Sequence, residues 1–115
     1  MTTLYGNSNC DTVKKARAWL ADHGVACRFH DFKKEGVPEA ALDRWRAAVG
    51  DDRLLNRRGT TWRGLDPAAQ AMAGTEAGAR SLMLSHASVI KRPVVEWPDG
   101  QITVGFDAAD WAARV

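Results

Sequence analysis

The first thirty-two residues carry a strand, a helix and a second strand in close succession, and that order leaves few folds open. Thr2 to Tyr5 is β-branched and aromatic and runs into the tight loop Gly6-Asn7-Ser8-Asn9. Thr12 to His23 places Val13, Ala16 and Leu20 on one helical stripe, with Gly24 as the C-cap. Val25 to Phe32 alternates, with Val25, Cys27 and Phe29 on one face and Arg28, His30 and Phe32 on the other, which predicts a second strand. A strand-helix-strand unit requires a parallel pair and a right-handed crossover, and it presents the C-terminal ends of its strands for chemistry.

The rest of the chain is helical and then returns to strands. Pro38 to Val49 carries Ala41, Leu42, Trp45, Ala48 and Val49 at helical spacing, and Gly50 closes it. Asp51 to Gly64 is aperiodic and rich in Arg, Gly and Thr, so a loop is expected there. Pro67 to Met72 and Thr75 to His86 read as helices, the second striped by Ala79, Leu82, Met83 and His86. Val89-Ile90 and Val94 to Trp97 flank Lys91-Arg92-Pro93, and Pro98-Asp99-Gly100 joins the latter segment to Gln101 to Val104 as a hairpin. Asp107 is the expected N-cap of a terminal helix bearing Trp111 and Val115. With 115 residues, one α/β domain over 1–115 is expected, built as β-α-β … β-β-α on a mixed four-stranded sheet, with a helical insertion at about 36–88.

Composition narrows the function classes. Sixteen Lys and Arg against fourteen Asp and Glu leave a net charge of +2, too balanced to imply a nucleic-acid partner. Arg53, Arg57, Arg58 and Arg63, with Trp62 nearby, read as a solvated loop containing one substrate-binding arginine rather than a nucleic-acid patch. The N-terminus has no basic region followed by an apolar stretch, and no later segment approaches eighteen consecutive apolar residues, so a cytoplasmic protein without a membrane partner is expected. His23, His30 and His86 lack metal-ligand spacing, so no metal is expected. Two cysteines are too few for the disulfide framework of a small secreted domain.

Those two cysteines divide by context. Cys10 follows a strand and a polar loop and stands two residues before the expected helix, where unpaired amides favour a thiolate nucleophile. Asp11 beside it opposes that effect unless it caps the helix. Cys27 sits near the opposite end of the second strand, on the order of 13 Å away and beyond the ~7 Å limit for a disulfide. It reads as a core residue. No cysteine stands three positions after Cys10, where Val13 is found, so a redox cycle needs an external thiol, with glutathione the obvious candidate.

Three blocks carry a resemblance: Leu4-Tyr5-Gly6-Asn7-Ser8-Asn9-Cys10-Asp11-Thr12-Val13-Lys14-Lys15-Ala16-Arg17, then Leu54-Leu55-Asn56-Arg57-Arg58-Gly59-Thr60-Thr61-Trp62-Arg63, then Ile90-Lys91-Arg92-Pro93. In this order they resemble the arsenate reductase (ArsC)/Spx family, in particular its YffB-type branch. The resemblance implies a thioredoxin-like fold, a bacterial redox protein and a reactive Cys10. It further implies substrate or glutathione contacts from Asn9, Asp11, Thr12, Arg57 and Arg92, and a cis peptide bond at Pro93. Asp107 matches the place where the γ-glutamyl end of glutathione is received, although its context also suits an N-cap. No bound cofactor is implied; glutathione is a co-substrate, and the acceptor is an oxidised small molecule or protein thiol.

Two departures bear on activity. Arsenate reductases of the family carry a third arginine in the last strand, where this chain has Ile102-Thr103-Val104-Gly105-Phe106. Spx regulators use a Cys-x-x-Cys switch that Val13 breaks. A glutathione-dependent monothiol reductase is therefore the main expectation. The alternatives are an Spx-like module that binds RNA polymerase without catalysis, and arsenate reduction proper.

Overall fold

A computed structural model describes residues 1–115, and the chain divides into two compact units: Met1–Glu35 with Arg92–Val115, and Gly36–Lys91. The first unit is built on β1 (Thr2–Gly6), α1 (Asp11–Asp22), β2 (Cys27–Asp31), α2 (Phe32–Glu35), β3 (Val94–Glu96), β4 (Ile102–Val104) and α8 (Ala108–Arg114). Its sheet runs β2-β1-β3-β4. β1 pairs in parallel with β2, and the β1–β3 and β3–β4 pairs are antiparallel. This is the mixed α/β sheet of a thioredoxin-like fold.

Register decides which side chains meet. Leu4 stands opposite Phe29 on β2 and Val95 on β3. Because alternate residues share a face, these three point together toward α1 and α8. The resulting core joins Leu4 and Val95 to Val13, Ala16 and Leu20 of α1 and to Trp97 and Trp111. Edge-on aromatic contacts hold its end: Trp111 lies 5.2 Å from Trp97 and 4.8 Å from Phe106, centroid to centroid. The Trp97 indole N–H donates to the Thr103 hydroxyl at 3.0 Å, so the tryptophan is buried without losing a polar partner.

The second unit contains α3 (Glu39–Val49), α4 (Asp51–Leu54), α5 (Thr60–Gly64), α6 (Pro67–Ala71) and α7 (Glu76–Ser85), with short 3-10 turns at Met72–Gly74 and Ala87–Val89. Its side-chain ion pairs are interlocked. Arg46 on α3 forks onto Asp51 at 2.7 and 3.2 Å and donates to the Glu76 carbonyl, while Arg80 on α7 reaches Asp43 and Glu39 on α3. The Arg80 guanidinium holds the Asp43 carboxyl below the usual carboxylate range.

Several sequence expectations need correction. Asp51 to Gly64 is not a plain loop but holds α4 and α5, and Trp62 lies on α5. β2 is shorter than Val25 to Phe32, because Phe32 starts α2 and is buried there rather than extending the strand. Ala48 and His86 are exposed, so the stripes of α3 and α7 end before them. Val115 lies past the end of α8 and is also exposed. No helix is long and apolar enough to cross a membrane.

Candidate active site

Cys10 is closer to α1 than expected: it is the N-cap itself, with φ −86° and ψ 125°, and Asp11 is the first helical residue. Asp11 therefore does not cap the helix, which has no side-chain cap. It places an exposed carboxylate in the first turn, where the helix dipole favours negative charge. The backbone at Cys10 is held from both sides. Its N–H donates to the Asn7 carbonyl at 3.2 Å, and its own carbonyl accepts from Lys14 N–H at 3.0 Å. The first bond closes the Asn7-Ser8-Asn9 turn, and the second starts α1. The thiol is half-buried against the core while Asn9, Asp11 and Thr12 around it are exposed.

Asn7 was not anticipated as a supporting residue. It is 3% exposed, a buried polar residue whose carbonyl orients the Cys10 amide. The sequence signal was the turn-forming run Asn-Ser-Asn ahead of an apolar helical stripe.

The Arg92–Pro93 peptide bond is cis. Pro93 is buried and Arg92 partly exposed. The Pro93 carbonyl accepts from Gly105 N–H at 2.9 Å, which ties the end of β4 back to the proline. Gly105 has φ +81°, a left-handed conformation that glycine adopts without a Cβ penalty. Asp107 is the N-cap of α8, its Oδ1 accepting from Asp110 N–H at 3.1 Å. Cys10, Arg92, Pro93 and Asp107 all belong to the first unit.

Arg57 belongs to the second unit, between α4 and α5. Its guanidinium pairs with the exposed Asp52 carboxylate at 3.3 Å and lies 5.5 Å from the Trp62 ring centroid. An ion pair this exposed is worth little, so the side chain gives up Asp52 at small cost. Cys27 packs against the core of the first unit, as its strand context predicts, but only in part. It is a free thiol, as is Cys10, and it sits half-buried on the edge strand β2. Burial nevertheless pushes its thiol pKa up, against the opposing pull of a backbone hydrogen bond at Leu4 and of Arg17. No group of three His, Cys, Asp or Glu side chains converges as metal ligands would.

The first unit supplies a thiol at a helix N-terminus and a cis-proline preceded by Arg92, with no second thiol three positions after Cys10. The family model described as ArsC matches residues 5–114. A solved structure of a YFFB protein is 48% identical, covers 99% of this chain and 98% of its own, and superposes with a TM-score of 0.92. An arsenate reductase (ArsC) related protein from Brucella melitensis is 49% identical over 97% of this chain and 92% of its own, with a TM-score of 0.76. An uncharacterized protein of Haemophilus influenzae is 38% identical over 113 residues, which is 98% of this chain and 97% of that protein.

Proposed function

The chain belongs to the ArsC family, and from that premise we propose that it is a cytoplasmic, glutathione-dependent monothiol reductase with Cys10 as its nucleophile. The observation that carries this reading is Cys10 at the N-cap of a twelve-residue helix whose cap has no side-chain partner. Amide N–H groups at such an end are unpaired within the helix and favour negative charge on the sulfur.

The chemistry balances with two molecules of one external thiol. The Cys10 thiolate attacks one sulfur of an oxidised acceptor, R–S–S–R′, forming Cys10–S–S–R and releasing R′S⁻. A glutathione thiolate then attacks the R sulfur, so that R leaves as its mixed disulfide with glutathione and the Cys10 thiolate is regenerated. A second glutathione thiolate attacks the glutathione sulfur of that mixed disulfide, releasing R–S⁻ and glutathione disulfide, so the acceptor gains two electrons from two molecules of glutathione. Arg92 orients an anionic group of glutathione or acceptor, since an arginine fork binds a carboxylate through two hydrogen bonds, and Arg57 on the second unit offers the same fork. Asn9, Asp11 and Thr12 line the approach to Cys10, and Asp107 receives the γ-glutamyl end of glutathione. Neither a metal nor a bound cofactor takes part.

The deciding experiment is a glutathione-coupled disulfide reduction assay on wild type, Cys10→Ser and Cys27→Ser. Turnover is expected to vanish in Cys10→Ser and to persist in Cys27→Ser. Equal loss in both variants, each still folded, overturns the mechanism. Arsenate as the sole acceptor is expected to give no turnover above background, because Thr103 and its neighbours on β4 supply no third arginine.

A further inference from the structure

A groove of about 450 Å³ runs between α1 and the edge strand β2, and it shares no side chain with the Cys10 site. Its floor is apolar, from Leu20, Val25 and Phe29, with the Cys27 thiol beside them. Ala18 and Ala21 keep the helix side low, so the space stays open. Lys14 and Arg17 stand at its rim, both exposed. The Arg17 guanidinium carbon lies 4.1 Å from the Phe29 ring centroid, so the fork is held flat over the aromatic floor. Neither cation takes part in an ion pair.

The position of these charges is informative. Lys14, Lys15 and Arg17 are the basic residues of α1, and its last turn has none. Two cations without ion pairs above an apolar floor are complementary to an anion with an apolar body. The volume falls within the range of small-molecule sites. Burial pushes the half-buried Cys27 thiol pKa up, so Cys27 adds soft apolar surface to the groove.

We propose that this groove binds a small amphiphilic monoanion of the aliphatic carboxylate class, its carboxylate held by Arg17 and Lys14 and its chain lying on Leu20, Val25 and Phe29. The test is a titration of the full-length protein with sodium octanoate, followed by amide NMR shifts, with 1-octanol as the uncharged control. Saturable shifts centred on Ala21, Cys27 and Phe29 are expected, with octanol binding at least about tenfold more weakly. Lys14→Glu, which leaves the Arg17–Phe29 stack in place, is expected to weaken octanoate by a similar factor without affecting octanol. A second readout is the alkylation rate of Cys27 in the same protein, which octanoate is expected to slow in wild type and not in Lys14→Glu. Shifts that do not saturate, equal affinity for octanoate and octanol, or an unchanged affinity in a folded Lys14→Glu variant each overturn the proposal.

Discussion

Gly6 and Val13 approach so closely that a Cβ built on Gly6 would lie 2.7 Å from Cγ2 of Val13. Val13 is fully buried and β-branched, so its side chain has little room to turn away. This contact lets β1 pass directly under the first turn of α1, which keeps the connection to Cys10 short. Gly6→Ala is expected to destabilise the protein by about 1–3 kcal/mol, the usual cost of forcing atoms into a packed core. In urea denaturation, Gly6→Ala combined with Val13→Ala should lose less than the two single changes added together. Strict additivity would mean that the Gly6–Val13 contact is not the cause.

The two thiols should differ sharply in reactivity. With iodoacetamide at neutral pH, followed by peptide mass spectrometry, Cys10 is expected to be modified well before Cys27. Burial raises the Cys27 pKa, and alkylation needs the thiolate. In denaturing urea that desolvation is gone, and Cys27 should react much faster. Cys27 reacting as fast as Cys10 in the folded protein would contradict this account.

Asp107 has a measurable structural role apart from any contact with glutathione. Asp107→Ala removes the N-cap of α8 and should cost about 1 kcal/mol, whereas Asp107→Asn keeps a capping oxygen and most of the stability. If the carboxylate also binds the γ-glutamyl end, Asp107→Asn raises the KM for glutathione at an unchanged unfolding midpoint. An unchanged KM leaves Asp107 as a cap alone.

Acid should weaken the link between α3 and α7. The Arg80 hydrogen bond depresses the Asp43 pKa in the folded protein. The stabilisation is therefore present above the unfolded carboxyl pKa, about 3.9, and is lost as pH falls through the depressed folded value. The stability difference between wild type and Asp43→Asn is expected to be constant near neutrality and to shrink in that acid range. Asp43 is exposed, so the effect is small. A difference that stays constant into strong acid would rule the pair out as its source.

Much of the sheet was legible because its signals are local. Leu4, Val13, Ala16 and Leu20 fall at strand and helix periods, and Asp107 has the chemistry of an N-cap. The α4 and α5 segments were missed because helices of four and five residues do not complete enough turns to show a period. Ala48 and His86 misled because a stripe does not reveal where burial stops. Around the candidate site, Cys10 and Pro93 stand out from their motifs. The Gly105–Pro93 hydrogen bond does not, since it joins segments brought together only by the β3–β4 hairpin. The exposure of Cys27 follows from β2 being an edge strand, which is a property of strand order and is invisible within the segment itself.

The strand order also has a consequence during synthesis. β1 leaves the ribosome before its two sheet partners, yet it is flanked on both sides in the finished sheet. Its parallel partner β2 follows soon after α1, but the opposite edge of β1 waits for Val94 to pair with Tyr5. Throughout production of the segment from Gly36 to Lys91, the nascent chain holds an open row of backbone donors and acceptors along β1. Closing that row is a long-range event, so the Tyr5–Val94 pairing should come late in folding, with the β1-α1-β2 unit forming ahead of it.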